Sequence, residues 1–146
     1  MRDGWSKESN YLLFDCGPHG TMNCGHAHAD ALSFELAVNG STLLVDPGTY
    51  TYTGSQEMRD WFRSSNAHNT VTLNNLSSSV PRGPFSWLTT ARSDCSWWIT
   101  HERFDYVVAS HDGYNHLPEP ATHSLTARWR GKTGRSTVGG NGDAAE

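Results

Sequence analysis

The sequence predicts an all-β fold, an antiparallel β-sandwich with one short helix. Apolar and polar residues alternate with a period of two along most segments, as in strands that bury one face. Asn39-Gly40 stands between two such segments. An Asn-Gly pair there is the strongest short-range hairpin signal, because both residues tolerate positive φ. Turn residues recur too often to leave room for the crossover helices of a βαβ fold.

Taken in order, Asn10 to Cys16 is a short apolar run closed by Gly17-Pro18. Leu32, Phe34, Leu36 and Val38 then alternate with Ser33, Glu35, Ala37 and Asn39, which reads as a half-buried strand. Past the Asn-Gly turn, Ser41 to Asp46 forms its hairpin partner. Only Ser55 to Arg63 has helical character, about two turns, with Ser55 placed to cap it. Further strands are expected at Asn69–Asn74, Trp97–Thr100, Phe104–Ser110 and Thr122–Trp129, about seven in all. Residues 131–146 hold five Gly and no aromatic residue, and read as a disordered tail after a sandwich spanning 1–130.

The 146 residues suit one domain and can bury a core of roughly two-thirds of the unfolded surface. A net charge of −4 argues against generic nucleic-acid binding, which favours a basic face. No apolar run approaches the roughly 20 residues of a membrane span, and no signal peptide opens the chain. The three cysteines, Cys16, Cys24 and Cys95, form no CxxC pair. Buried free thiols are the expectation, with a Cys16–Cys24 bridge as the alternative in an oxidising compartment.

Chemistry concentrates in the histidines, eight in number. In extended Gly25-His26-Ala27-His28-Ala29-Asp30, residues 26, 28 and 30 share one side. Two imidazoles and a carboxylate on one face suit a divalent metal or an anionic substrate. The hairpin returns the chain so that Asp46 can approach His28. Neutral His with a carboxylate oxygen is an ordinary zinc set, which a third ligand would complete. The candidates for that ligand are His68, His101, His111, His116 and His123.

Gly25-His26-x-His28-Ala29-Asp30-x-Leu32-Ser33-Phe34, followed by Leu44-Val45-Asp46-Pro47-Gly48-Thr49-Tyr50-x-Tyr52, resembles the C-terminal domain of heparinase II/III-type polysaccharide lyases. Arg59-x-x-Phe62-Arg63-Ser64-x-x-Ala67-His68-Asn69-Thr70-Val71 and His111-Asp112-Gly113-Tyr114 are similar to the same family. At a later motif around His123 the chain departs from it, with Leu125 where the family has Arg.

The resemblance implies a β-sandwich that works beside an N-terminal helical toroid, cleaving uronate-containing polysaccharide such as heparan sulfate or alginate by β-elimination. It implies that His26 is catalytic and faces substrate, and that His28, Asp46 and His68 hold zinc. It points to the periplasm or the exterior. Elimination takes the proton next to the uronate carboxylate, so that carboxylate must be neutralised. Arg63 could pair a carboxylate or sulfate bidentately, with Arg59 or a structural ion pair as alternatives. Tyr50, Tyr52 and Asn69 complete the candidate substrate site, although either Tyr could equally be core. The family's base/acid Tyr lies in the toroid, so the chain is expected to be an incomplete piece, inactive alone.

Two other readings stand beside this one. His28-x-Asp30 with a distant His also fits the facial triad of jelly-roll Fe(II)/2-oxoglutarate oxygenases, which would need a keto-acid Arg such as Arg128 near His116. A non-catalytic carbohydrate-binding or structural sandwich would use Trp61, Trp87 or Trp97-Trp98 as stacking faces.

Overall fold

The computed structural model describes residues 1–130 and 137–144. Its regular structure is mostly antiparallel strand, arranged in three sheets. Strands β1 (Tyr11–Phe14), β2 (Phe34–Val38) and β3 (Ser41–Leu44) form the first sheet, in that order. The expected hairpin closes it: Val38 pairs with Ser41, and Asn39 and Gly40 both take positive φ. Helix α1 (Gln56–Arg63) follows, and Ser55 caps it by accepting from Met58 N. A single 3-10 turn, Ser65–Ala67, leads to His68.

Strands β4 (Val80–Pro81) and β5 (Trp87–Thr89) make a two-stranded ribbon too short to leave a sequence pattern. The largest sheet has four strands in simple up-and-down order: β6 (Ser93–His101), β7 (Phe104–Tyr114), β8 (Ala121–Arg130) and β9 (Thr137–Ala144). The strands expected at 97–100, 104–110 and 122–129 lie within β6, β7 and β8.

One expectation meets a different structure. Asn69–Asn74 is not a strand: Asn74 and Asn75 adopt left-handed φ of 53° and 58°, and only an isolated bridge joins Leu73 to Leu76. Asn enters that region at little cost, so the Asn pair turns the chain where the alternation suggested extension. Within the C-terminal segment, residues 137–144 run beside β8 as β9, paired from Arg128↔Thr137 to Ala121↔Ala144. Ladder hydrogen bonds use only backbone, so a Gly-rich segment can supply them. Residues 131–136 and 145–146 lie outside the described residues.

The core lies between the first and the four-stranded sheet. Leu12, Phe14 and Leu32 from one side meet Val107, Ala109, Leu125, Ala127 and Trp129 from the other. The inward residues of β7 and β8 are every second one, which is why alternation was visible there. At the far end of this inner face the row turns polar, with His111 opposite His123. By contrast β6 is exposed along nearly its whole length, including Trp97, Trp98 and Ile99.

All three cysteines are free. The Cys16 thiol is pushed up to about 12, by burial first and then by the neighbouring Cys95 thiol.

Candidate active site and metal cluster

The loop between β1 and β2 carries His26, His28 and Asp30, and the segment after α1 fixes its path. Ala29 N donates to Arg63 O at 2.8 Å, Ser65 Oγ to Ala29 O at 2.6 Å, and Thr70 Oγ1 to Ala31 O at 2.9 Å. The loop then turns sharply at Leu32, which is buried at φ +59°, a conformation costly for a branched side chain. Ser33 N closes that turn on Asp30 O at 2.8 Å.

This path separates residues that an extended strand would have aligned. His28 and Asp30 turn inward, where a ligand atom from each and one from His68 lie within 4.8 Å of one another. His26 turns outward and is exposed. Asp46 is one contact further along: its Oδ2 lies 2.5 Å from His68 Nδ1. Two of the three residues expected to hold a metal, His28 and His68, thus meet Asp30 in one cluster, while Asp46 contacts the other nitrogen of His68 from outside it.

Burial sets the electrostatics. It pushes His28 down to about 4, helped by His68 and Arg59 nearby. It pushes the Asp30 carboxyl up to about 6 against the opposing pull of His68. His28 Nε2 stands 3.0 Å from Thr49 Oγ1 and 3.5 Å from Arg59 Nη1. Since the guanidinium can only donate, Nε2 is the accepting nitrogen here.

The cluster fits a divalent cation. His68 Nε2 is buried without a hydrogen-bond partner among the described residues, a penalty of about 1–3 kcal/mol that a metal ion would remove. The carboxylate at Nδ1 is the usual group behind a metal-binding imidazole. Two His and one carboxylate suit zinc and match the make-up of a facial triad. The keto-acid Arg of the oxygenase reading is placed otherwise: Arg128 lies over the Phe104 ring at 5.7 Å.

Outside the cluster lies an aromatic face. The Tyr52 ring meets His26 edge-on at 5.3 Å and stacks with Phe85 at 6.0 Å, while His26 and Phe85 are 6.1 Å apart. Tyr50 stacks on Phe62 at 5.3 Å beside an open cleft of about 420 Å³. Both tyrosines are exposed, so neither is core.

Arg63 is placed differently from the substrate contact suggested for it. It is fully buried, and its fork donates to Gly83 O, Pro84 O and Asp60 at 2.7, 3.2 and 2.8 Å. That leaves it to pin the 83–87 loop, with Trp87 against its guanidinium. Asn69 uses its amide on Val45 O at 3.1 Å, tying the segment before Asp46 to the one after His68. Of the other histidines weighed as ligands, His111 and His123 pair with each other in the core at 3.0 Å, and His101 and His116 are exposed.

Comparison with known proteins supplies the family. Residues 3–136 match the family described as heparinase II/III-like, C-terminal. The chain belongs to this family. A heparin-sulfate lyase of Bacteroides stercoris is 38% identical over 78 residues, 51% of this chain and 11% of that protein. One of Pedobacter heparinus is 28% identical over 120 residues, 80% of this chain and 16% of that protein. The heparinase II/III-like chain therefore spans under a fifth of these curated relatives. Its fold matches a heparinase III structure with TM-score 0.76 at 22% identity, covering 100% of this chain and 20% of the other. It also matches a mutant heparan sulfate lyase of Pedobacter heparinus with TM-score 0.69 at 24% identity, covering 90% and 19%. No helix among the described residues is long and apolar enough to cross a membrane.

Proposed function

We propose that this chain is the metal-binding, substrate-side sandwich of a lyase cleaving uronate-containing polysaccharide, such as heparan sulfate or alginate, by β-elimination. The observation that carries the reading is the division of the 26–30 loop. One histidine is exposed among aromatic rings, and the next faces inward to a second histidine and two carboxylates.

His26 is the group available to a bound sugar. Its imidazole can hydrogen-bond the uronate carboxylate or assist transfer of the C5 proton, and stabilising the developing enolate charge is the main demand of the reaction. Tyr52 and Phe85 offer apolar ring faces beside it, and Tyr50 extends that surface toward the adjoining cleft. His28 and His68, with a carboxylate from Asp30 or Asp46, would hold zinc, whose charge would secure the three segments that build the site. Asn69 and Arg63 position backbone in support.

The proton-transferring Tyr of the reaction would come from a helical toroid domain, so the chain alone should bind polymer without cleaving it. The site of action would be the periplasm or the exterior, where such polymers are met. Incubating the purified chain with heparan sulfate and alginate and following unsaturated uronate tests this. Binding without product is expected. Robust turnover by the chain alone would overturn the claim of inactivity, and no binding to any uronan would overturn the substrate assignment.

A further inference from the structure

Arg59 is fully buried in a helix of eight residues, and no carboxylate bonds it among the described residues. Burying a guanidinium without a counter-ion is expensive unless its donors are well used. Its Nη2 donates to Gly25 O at 3.1 Å, the carbonyl just before His26. Its Nε donates to Pro84 O at 3.2 Å, the carbonyl just before Phe85. Its guanidinium carbon lies 4.9 Å from the centre of the Tyr52 ring. Its Nη1 also lies 3.5 Å from His28 Nε2, but its other three partners come from segments separate in the chain that carry the exposed aromatic face.

His26 itself makes no side-chain hydrogen bond among the described residues. Its orientation therefore rests on Tyr52 and Phe85 and on the backbone beneath it. We infer that Arg59 is the positioning residue of the substrate face, one planar fork that sets His26, Tyr52 and Phe85 against one another from below. Lysine cannot replace it: an ammonium is a point donor that cannot bond two separated carbonyls while lying flat under a ring. The inference rests on the proposed function for its consequence, but the geometry it claims is testable without it.

The test compares Arg59→Lys and Arg59→Met with the parent chain. NMR follows the His26 and Tyr52 ring protons, with the His111 and His123 signals in the distant core as a check of folding. Affinity for a heparan sulfate oligosaccharide is measured in parallel. In Arg59→Lys the expected result is displaced His26 and Tyr52 signals, unmoved His111 and His123 signals, and affinity weaker by about tenfold, or about 1.4 kcal/mol. Unchanged His26 signals and affinity in a folded Arg59→Lys chain would overturn the inference.

If neither variant folds, the Arg59 Nε–H of the parent decides. Slow exchange with a cross-peak to the Tyr52 ring supports the role, and fast exchange without one overturns it. A parent chain that binds no uronate oligosaccharide would remove the proposed substrate while leaving the His26 and Arg59 signals to judge the positioning role.

Discussion

The two nitrogens of the His68 ring face unlike surroundings, a carboxylate at Nδ1 and an unbonded buried space at Nε2. A metal at the second nitrogen makes Asp30 a ligand and Asp46 the group that orients the ring, and substitution separates these roles. His28→Ala, His68→Ala and Asp30→Asn should each abolish stoichiometric zinc, measured by elemental analysis after dialysis. Asp46→Asn should weaken zinc by about ten- to a hundredfold, as expected for a carboxylate behind a ligand. Full loss in Asp46→Asn with zinc retained in Asp30→Asn would reverse the assignment. Cys16 gives a second test: with its thiol pushed up to about 12 it is almost wholly protonated at neutral pH. It should alkylate far more slowly in the folded chain than in urea, read by mass spectrometry of peptides. His28, Asp46 and His68 were legible because motif spacing preserves residue type. The parting of His26 from His28 and Asp30 was not, because it depends on Leu32 adopting a conformation its side chain disfavours.

Helix α1 shows why element-level patterns mislead near a site. Hydrophobic periodicity would bury Met58, Trp61 and Phe62, yet the buried face is Arg59 and Arg63, four residues apart, while Trp61 and Met58 are exposed. Carbonyls of surrounding loops attract that face, and no sequence window of the helix contains them. The two Arg side chains converge on one acceptor, Pro84 O. Strand β7 carries a sharper constraint at Gly113. A Cβ there would lie 2.7 Å from Ser78 O, 2.8 Å from Ser78 Cβ and 3.0 Å from Ala91 Cβ. Because the nearest atom is backbone, Gly113→Ala should cost about 1–3 kcal/mol, seen as a lower urea midpoint. The β2–β3 turn was readable from two letters, whereas Gly113 is fixed by neighbours from distant segments.

Across the whole molecule the buried histidine pair links stability to pH. Gly113 N donates to His111 Nδ1 at 3.1 Å, so Nε2 of His111 carries the proton that it gives to His123 Nδ1 at 3.0 Å. Burial, and then His123, push His111 from 6.5 down to about 4, and burial pushes His123 in the same direction. The unfolded chain therefore binds more protons than the folded one between these values. The pair's contribution is fully present above about pH 6.5 and is lost as pH falls toward about 4. The loss from His111 should approach about 3 kcal/mol, visible as a falling melting temperature over that window. His111→Gln should reduce that dependence by its own share and leave the share of His28, which burial shifts in the same direction. The sandwich itself was foreseeable from the alternation along β7 and β8, because both faces of those strands have a settled environment. The polar end of the core was not, because a histidine in a strand carries no mark of its partner.

β6 has no such settled environment. Nine residues long, it exposes alternate side chains on both of its faces, and it forms the outer edge of the sheet. Edges that carry Trp and Ile without a guarding charge or proline at their centre invite pairing with other chains. In practical terms, the purified protein is best handled dilute. Its sedimentation should become concentration-dependent as stocks are raised, and Trp98→Lys should restore ideal behaviour while leaving zinc content as it was.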